Sequence, residues 1–263
     1  MEYIQNNVEE AVAAFNAISE EITATGVEVE EGTKPRLLAN KIPQVYEEGK
    51  KAEYDAFWDV MQNYGKREEY YFAFGGKGWT DETFKPKYDL NMAYSASQCF
   101  SYCAVTDLVK SLENAGVKFD TSKVNNFTNM FSWAKTTRLP VISTVGAKSI
   151  IQTFFSMDNL VETQKLVLKT DGSQTFTNPF NLCNNLEILF VEGVIGQNGF
   201  DIHWSTKLSA DSLKSIINAL SATTTGLTVT LPTTAQSNYE AVYGTGSWAT
   251  LTATKSNWTI AYA

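Results

Sequence analysis

The chain has 263 residues, 43% of them hydrophobic and 13% aromatic, with a formal net charge of −8. That length and apolar content exclude a disordered chain and suffice for one large core or two smaller ones. Residues 1–60 hold 13 acidic and 5 basic side chains and so carry the whole net charge, which leaves no basic footprint for nucleic acid.

No apolar run reaches the roughly 18–20 residues that a membrane span needs. The start, "MEYIQNNVEEAVAAF", has neither the basic n-region nor the apolar h-region of a signal peptide. The expectation is a chain made in a reducing compartment without a leader, with no membrane partner. Three cysteines (Cys99, Cys103, Cys183) without CxxC spacing read as small buried thiols, not as a disulfide framework or zinc site.

In the first segment Ile4, Val8, Ala11, Phe15, Ile18 and Ile22 follow one another at alternating intervals of four and three. That is an a/d stripe of under three heptads, and it must be buried in a partner chain or in its own domain. Gly26, Gly32 and Pro35 end it, and a second helix is expected over 43–64. Tyr70, Phe72 and Phe74 alternate as a short strand would, before the glycine turn "GGKG". That turn lacks the GxxxxGK[ST] frame of a phosphate loop.

The middle of the chain repeats itself. "FTNMF" (127–131) and "FTNPF" (176–180) have fainter counterparts in "ASQCF" ending at Phe100 and "IQTFF" ending at Phe155. Four residues before each phenylalanine stands an apolar residue: Ala96, Phe127, Ile151 and Phe176. Three after it stand Cys103, Ala134 and Cys183, while Asp158 breaks the rule. Each unit reads as a helical or irregular turn with two inward apolar residues, followed by a short aliphatic strand such as "LPVI", "LVL" or "LEILFV". One such unit cannot bury its own apolar face, so stacked units must supply the core. Phe100, Phe127, Phe131, Ile151, Phe155, Phe176, Phe180, Cys103 and Cys183 are the expected repeat core. "STKLSADSLKSIINAL" (205–220) then reads as an amphipathic helix capped by Ser209, and "GLTVTLP" and "WTIAYA" as strands of a sealing segment.

The pattern F-x-x-C-x-x-L, intact in "FNLCNNL" (180–186) and stretched in "FSYCAVTDL" (100–108), resembles the BspA-type leucine-rich repeat. The resemblance covers residues 92–200. The flanks "LLANKIPQVYEEGKKAEYDAFWD", "GWTDETFKPKYD" and "LSADSLKSIINAL…LTVTL…KSNWTIAYA" resemble those of repeat proteins encoded in bacteriophages and prophages of gut Firmicutes. The resemblance implies an α+β fold with an N-terminal helical attachment or oligomerisation region (1–66). An irregular leucine-rich-repeat solenoid (67–204) and a C-terminal helix/strand cap (205–263) would follow.

It further implies a virion tail, fibre, baseplate or appendage component. Its partners would be other virion proteins, a host cell-surface protein or glycan, and copies of itself, a trimer being favoured. A bacterial leucine-rich-repeat adhesin at the extracellular surface and a glycan-active hydrolase are the alternatives. Chemistry finds little foothold. The single histidine, His203, reads as a loop or strand-edge residue, and neither HExxH nor GxSxG occurs. Asp171, Glu187, Glu192 and Asp201 are the carboxylates a glycosidase would need to pair. Asp81, Glu82 and Asp89 lack an EF-hand frame. No enzyme, metal or cofactor is expected. Trp133 and Trp204 are the candidate surface-binding residues.

Overall fold

A computed structural model of the chain describes residues 73–263 apart from 77 and 88, together with Glu20 and Thr23. The stripe from Ile4 to Ile22, the helix expected over 43–64, Tyr70 and Phe72 lie outside the described residues. The described residues form a mixed α+β fold in which the chain winds into stacked coils, with four helices set on them.

Every strand pairing among the described residues is parallel, which a chain can achieve only by crossing over between strands. Here each crossover is one coil of a solenoid. Strand β1 (Leu90–Ser95) pairs with β2 (Phe119–Asn126). β3 (Arg138–Ser143), β5 (Glu162–Val167) and β7 (Ile188–Glu192) make a three-stranded sheet in that order. β4 (Ser149–Ile151) pairs with β6 (Thr175–Thr177), and β8 (Leu227–Leu231) with β9 (Trp258–Tyr262). The aliphatic runs expected as strands fall in β3, β5, β7, β8 and β9.

The axis of the core is a column of phenylalanines, one per coil: Phe74, Phe100, Phe131, Phe154, Phe180 and Phe200. Successive ring centroids are 5.0, 5.4, 5.9, 4.8 and 5.8 Å apart. All six are buried. Neighbouring strands lie about 4.8 Å apart, so rings carried on successive coils stack at near contact distance. Phe74, expected in a strand, instead lies in a turn and heads this column; its N–H and that of Gly76 each donate to the next coil, at 2.7 Å from Cys99 O and Ser101 O.

The repeated pentamers are not helical turns. Each phenylalanine sits midway between two residues of positive φ: Gln98 and Tyr102, Asn129 and Trp133, Gln152 and Ser156, Asn178 and Leu182. In this conformation alternate N–H groups point along the stack. Those of Asn129, Phe131 and Trp133 donate to Ile151 O, Thr153 O and Phe155 O at 3.1, 2.9 and 3.0 Å. The spacing of four read as a helical turn is the spacing between these left-handed residues.

That frame corrects the third repeat by one residue. Phe154 and Ile150 are buried, whereas Phe155 and Ile151, expected in the core, are half-buried. Gln152 and Ser156 hold the left-handed positions, so the midpoint residue that turns inward is Phe154. The position three residues on is then Met157, which is buried, and Asp158 is no longer an exception. Phe100, Phe127, Phe131, Phe176, Phe180, Cys103 and Cys183 are all buried.

Burial pushes the Cys103 and Cys183 thiols up to about 12 from an ordinary 9.0, and the Cys99 thiol well above it. Cys183 also donates to Phe154 O at 2.8 Å. The folded state therefore holds these protons more tightly than the unfolded chain does. The associated stability is full below about pH 9 and is lost as pH rises toward 12. At pH 8 a thiol reagent should label none of the three until denaturant is added. Rapid labelling of the native protein would place a cysteine at the surface.

The interval of 31 residues between Phe100 and Phe131 contains helix α1 (Leu108–Ala115). Asp107 caps it by accepting from Lys110 N at 2.9 Å, and Gly116 closes it at φ 66°. Leu108, Val109 and Leu112 face the core. The surplus residues thus leave the stack as a helix, and the turns on either side stay in register: Thr137 N reaches back to Thr106 O at 2.7 Å.

Helix α2 (Ala210–Ala219) has the expected cap, Ser209 accepting from Ser212 N. Its packing side does more than bury Leu213, Ile216 and Ile217. Ser212 Oγ accepts from Leu189 N at 3.0 Å and Ser215 Oγ from Val191 N at 2.8 Å. The same hydroxyls donate to Glu187 O and Val191 O. Two serines one turn apart thereby replace the strand that would otherwise continue the sheet beyond β7. Winding then resumes: Asp201 bridges to Thr230 in β8, and helices α3 (Ala235–Tyr243) and α4 (Ser247–Ala253) lead to β9. One continuous core runs from Ala73 to Trp258.

Candidate binding surface

Outside the phenylalanine column runs a second, exposed ladder. Tyr102 stands two residues after Phe100, and Trp133 two after Phe131, each at a left-handed position with φ 60°. Bulky residues seldom adopt that conformation. The cost is carried by the ladder bonds on either side: Tyr102 N to Ser132 O and Trp133 N to Phe155 O, both 3.0 Å. The two rings stack with centroids 4.9 Å apart and planes 4° apart. Phe155 meets the other side of Trp133 edge-on at 5.1 Å and 69°.

Tyr102 and Trp133 remain 42% and 37% exposed although each covers part of the other. The side chains in the next coils at this position are Ser156 and Leu182, so the aromatic run ends at Phe155. Both faces of the Trp133 indole are occupied, one by Tyr102 and one by Phe155. What the ladder offers a partner is the rim of the rings, and the indole N–H has no acceptor among the described residues. The ring pairs contribute about 0.5–1.5 kcal/mol each beyond area burial, so the strip is rigid before anything binds.

Both tryptophans named from the sequence are exposed, but the structure does not bring them together. Trp204, 39% exposed, lies beyond the Phe200 coil and contacts the His203 ring at 5.0 Å. His203 Nδ1 is 2.6 Å from Asp201 Oδ1, and that oxygen also accepts from His203 N. Tyr102 and Phe155 were missed as surface residues. The signal was present for Tyr102, which repeats the offset of Trp133 from its phenylalanine.

The carboxylates are engaged with protein groups. Arg138 bridges Asp107 and Glu162 at 3.3 and 3.2 Å, and Glu192 holds Lys165 at 2.8 Å. Ser173 donates its N–H and hydroxyl to Asp171, holding that carboxyl below the usual range. Asp81 and Asp107 line one open groove of about 610 Å³ beside α1, where Asp81 accepts from Thr106 and Asp107 caps the helix. Among the described residues no cluster of three or more His, Cys, Asp or Glu could hold a metal ion, and no helix is long and apolar enough to cross a membrane.

Comparison with protein-family models, with curated proteins and with solved structures finds no match to this chain. Fold and surface together define a parallel-wound solenoid that displays a rigid aromatic strip.

Proposed function

We propose that the chain is a non-catalytic structural component of a bacteriophage particle, whose BspA-like leucine-rich-repeat solenoid contacts the host surface. The observation that carries host contact is the exposed Tyr102–Trp133–Phe155 ladder. Exposed aromatics held in place before binding lose little entropy on contact, and aromatic anchors dominate recognition surfaces. The virion setting is supported by the resemblance of the flanking segments. The N-terminal stripe would attach the chain to other virion proteins or gather copies of it, and several copies would add weak contacts by avidity.

The test is adsorption of labelled protein to host cells. Trp133→Ala should weaken binding at least about tenfold, the loss of one hot-spot contact, and leave the circular dichroism spectrum unchanged. Unchanged adsorption would remove the ladder from the contact. Mass spectrometry of purified particles tests the virion assignment separately. Protease or periodate treatment of the cells tells a protein receptor from a glycan.

A further inference from the structure

The solenoid ends on an unguarded strand edge. Ala263 N donates to Leu231 O at 3.2 Å, so by the alternation of a parallel ladder Thr259 and Ala261 face β8. The N–H and C=O of Ile260 and Tyr262 therefore point away from β8, and no described residue pairs with them. The contrast with β7 is direct: that edge is closed by the hydroxyls of Ser212 and Ser215. β9 has no such cover, and it carries no proline, no charge and no register shift. Those are the devices by which natural edges avoid pairing.

The surroundings are also free of charge. Between 241 and 263 the one charged side chain is Lys255, whose ammonium is turned inward onto Asn218 O and Leu220 O. Val242 is 68% and Tyr262 46% exposed beside the edge.

We propose that β9 is a dimerisation edge, where two copies of this chain pair antiparallel about a two-fold axis. The two β8–β9 sheets would join into one of four strands. An antiparallel copy meets each outward N–H with a C=O and each C=O with an N–H. A chain of net charge −8 repels its copy over most surfaces, and this end is where a copy meets no like charge. A charged partner would gain nothing here. The interface is independent of the N-terminal stripe and of the host-contact reading.

The experiment is light scattering on the full-length protein at about 100 μM, where micromolar contacts are largely formed. Ile18→Asp is included throughout to remove association through the stripe. That protein should have twice the mass of one chain. Adding Ile260→Pro, which deletes an outward N–H without touching the β8 ladder, should return it to one chain mass. Because Ile260 also packs partly against the core, Thr259→Lys and Thr259→Glu supply a second arm: each alone should be monomeric, and their mixture should regain the doubled mass. A single-chain mass for Ile18→Asp alone overturns the proposal and leaves the edge to a different partner. A doubled mass that survives both Ile260→Pro and the charged substitutions overturns it as well.

Discussion

Replacing Phe154 with alanine is expected to cost about 3–5 kcal/mol, and replacing its neighbour Phe155 about 1 kcal/mol or less. The difference follows from their positions in one turn. Phe154 is fully buried and stacks on Phe131 at 5.9 Å and on Phe180 at 4.8 Å. Its removal opens a cavity in the middle of the column and interrupts contact between the coils on either side. Coils of a solenoid are stabilised through their neighbours, so the loss is not local to one coil. Phe155 is half-buried and touches the edge of Trp133, and water can occupy the space it leaves. Urea denaturation of the two variants measures both values. A larger loss for Phe155 than for Phe154 would show that the third turn is wound one residue out of register.

Gly193→Ala is the second large effect, at about 2–4 kcal/mol. Gly193 has φ 97°, a conformation L-residues rarely adopt. A Cβ there would fall inside the van der Waals shell of Leu168 O, in the coil below. Neither the carbonyl nor the glycine can move freely, because Leu168 N is bonded to Glu192 O at 2.8 Å and Val194 N to Lys169 O at 3.0 Å. Gly226→Ala is the control. It also has positive φ, 73°, but a Cβ there meets nothing within 4 Å. Its cost should be about 1 kcal/mol, from the backbone alone. Equal losses at the two sites would mean that the coils do not approach closely at Gly193.

Much of this architecture was legible because stacking leaves a periodic apolar mark. The phenylalanines at 100, 131 and 180, their partners four residues earlier and the strand runs after them could be read directly. Two adjacent phenylalanines in "IQTFFS" defeated the same logic, since nothing in side-chain chemistry tells which of a pair turns inward. Only the backbone conformation at Gln152 and Ser156 decides it. Ser212 and Ser215 were equally silent. On a helical wheel they count as polar interruptions, and their role exists only once β7 lies alongside. Of the exposed ladder, Trp133 was visible as a tryptophan two residues after an inward phenylalanine. Tyr102 obeyed the same offset and went unread, because tyrosine is common in cores and on surfaces alike.

Helix α1 shows where this architecture has room to vary. The chain departs from the stack after Thr106 and rejoins it at Thr137 and Arg138, and Thr136 Oγ1 ties the start of the helix to the returning strand by accepting from Leu108 N at 3.0 Å. The length of the excursion does not enter the stacking geometry, since the ring spacing from Phe100 to Phe131 matches that of coils without a helix. The first coil is thus a natural graft site. A peptide tag, a reporter or a foreign epitope placed between Asp107 and Gly116 would be displayed beside the solenoid while the phenylalanine column carries on beneath it.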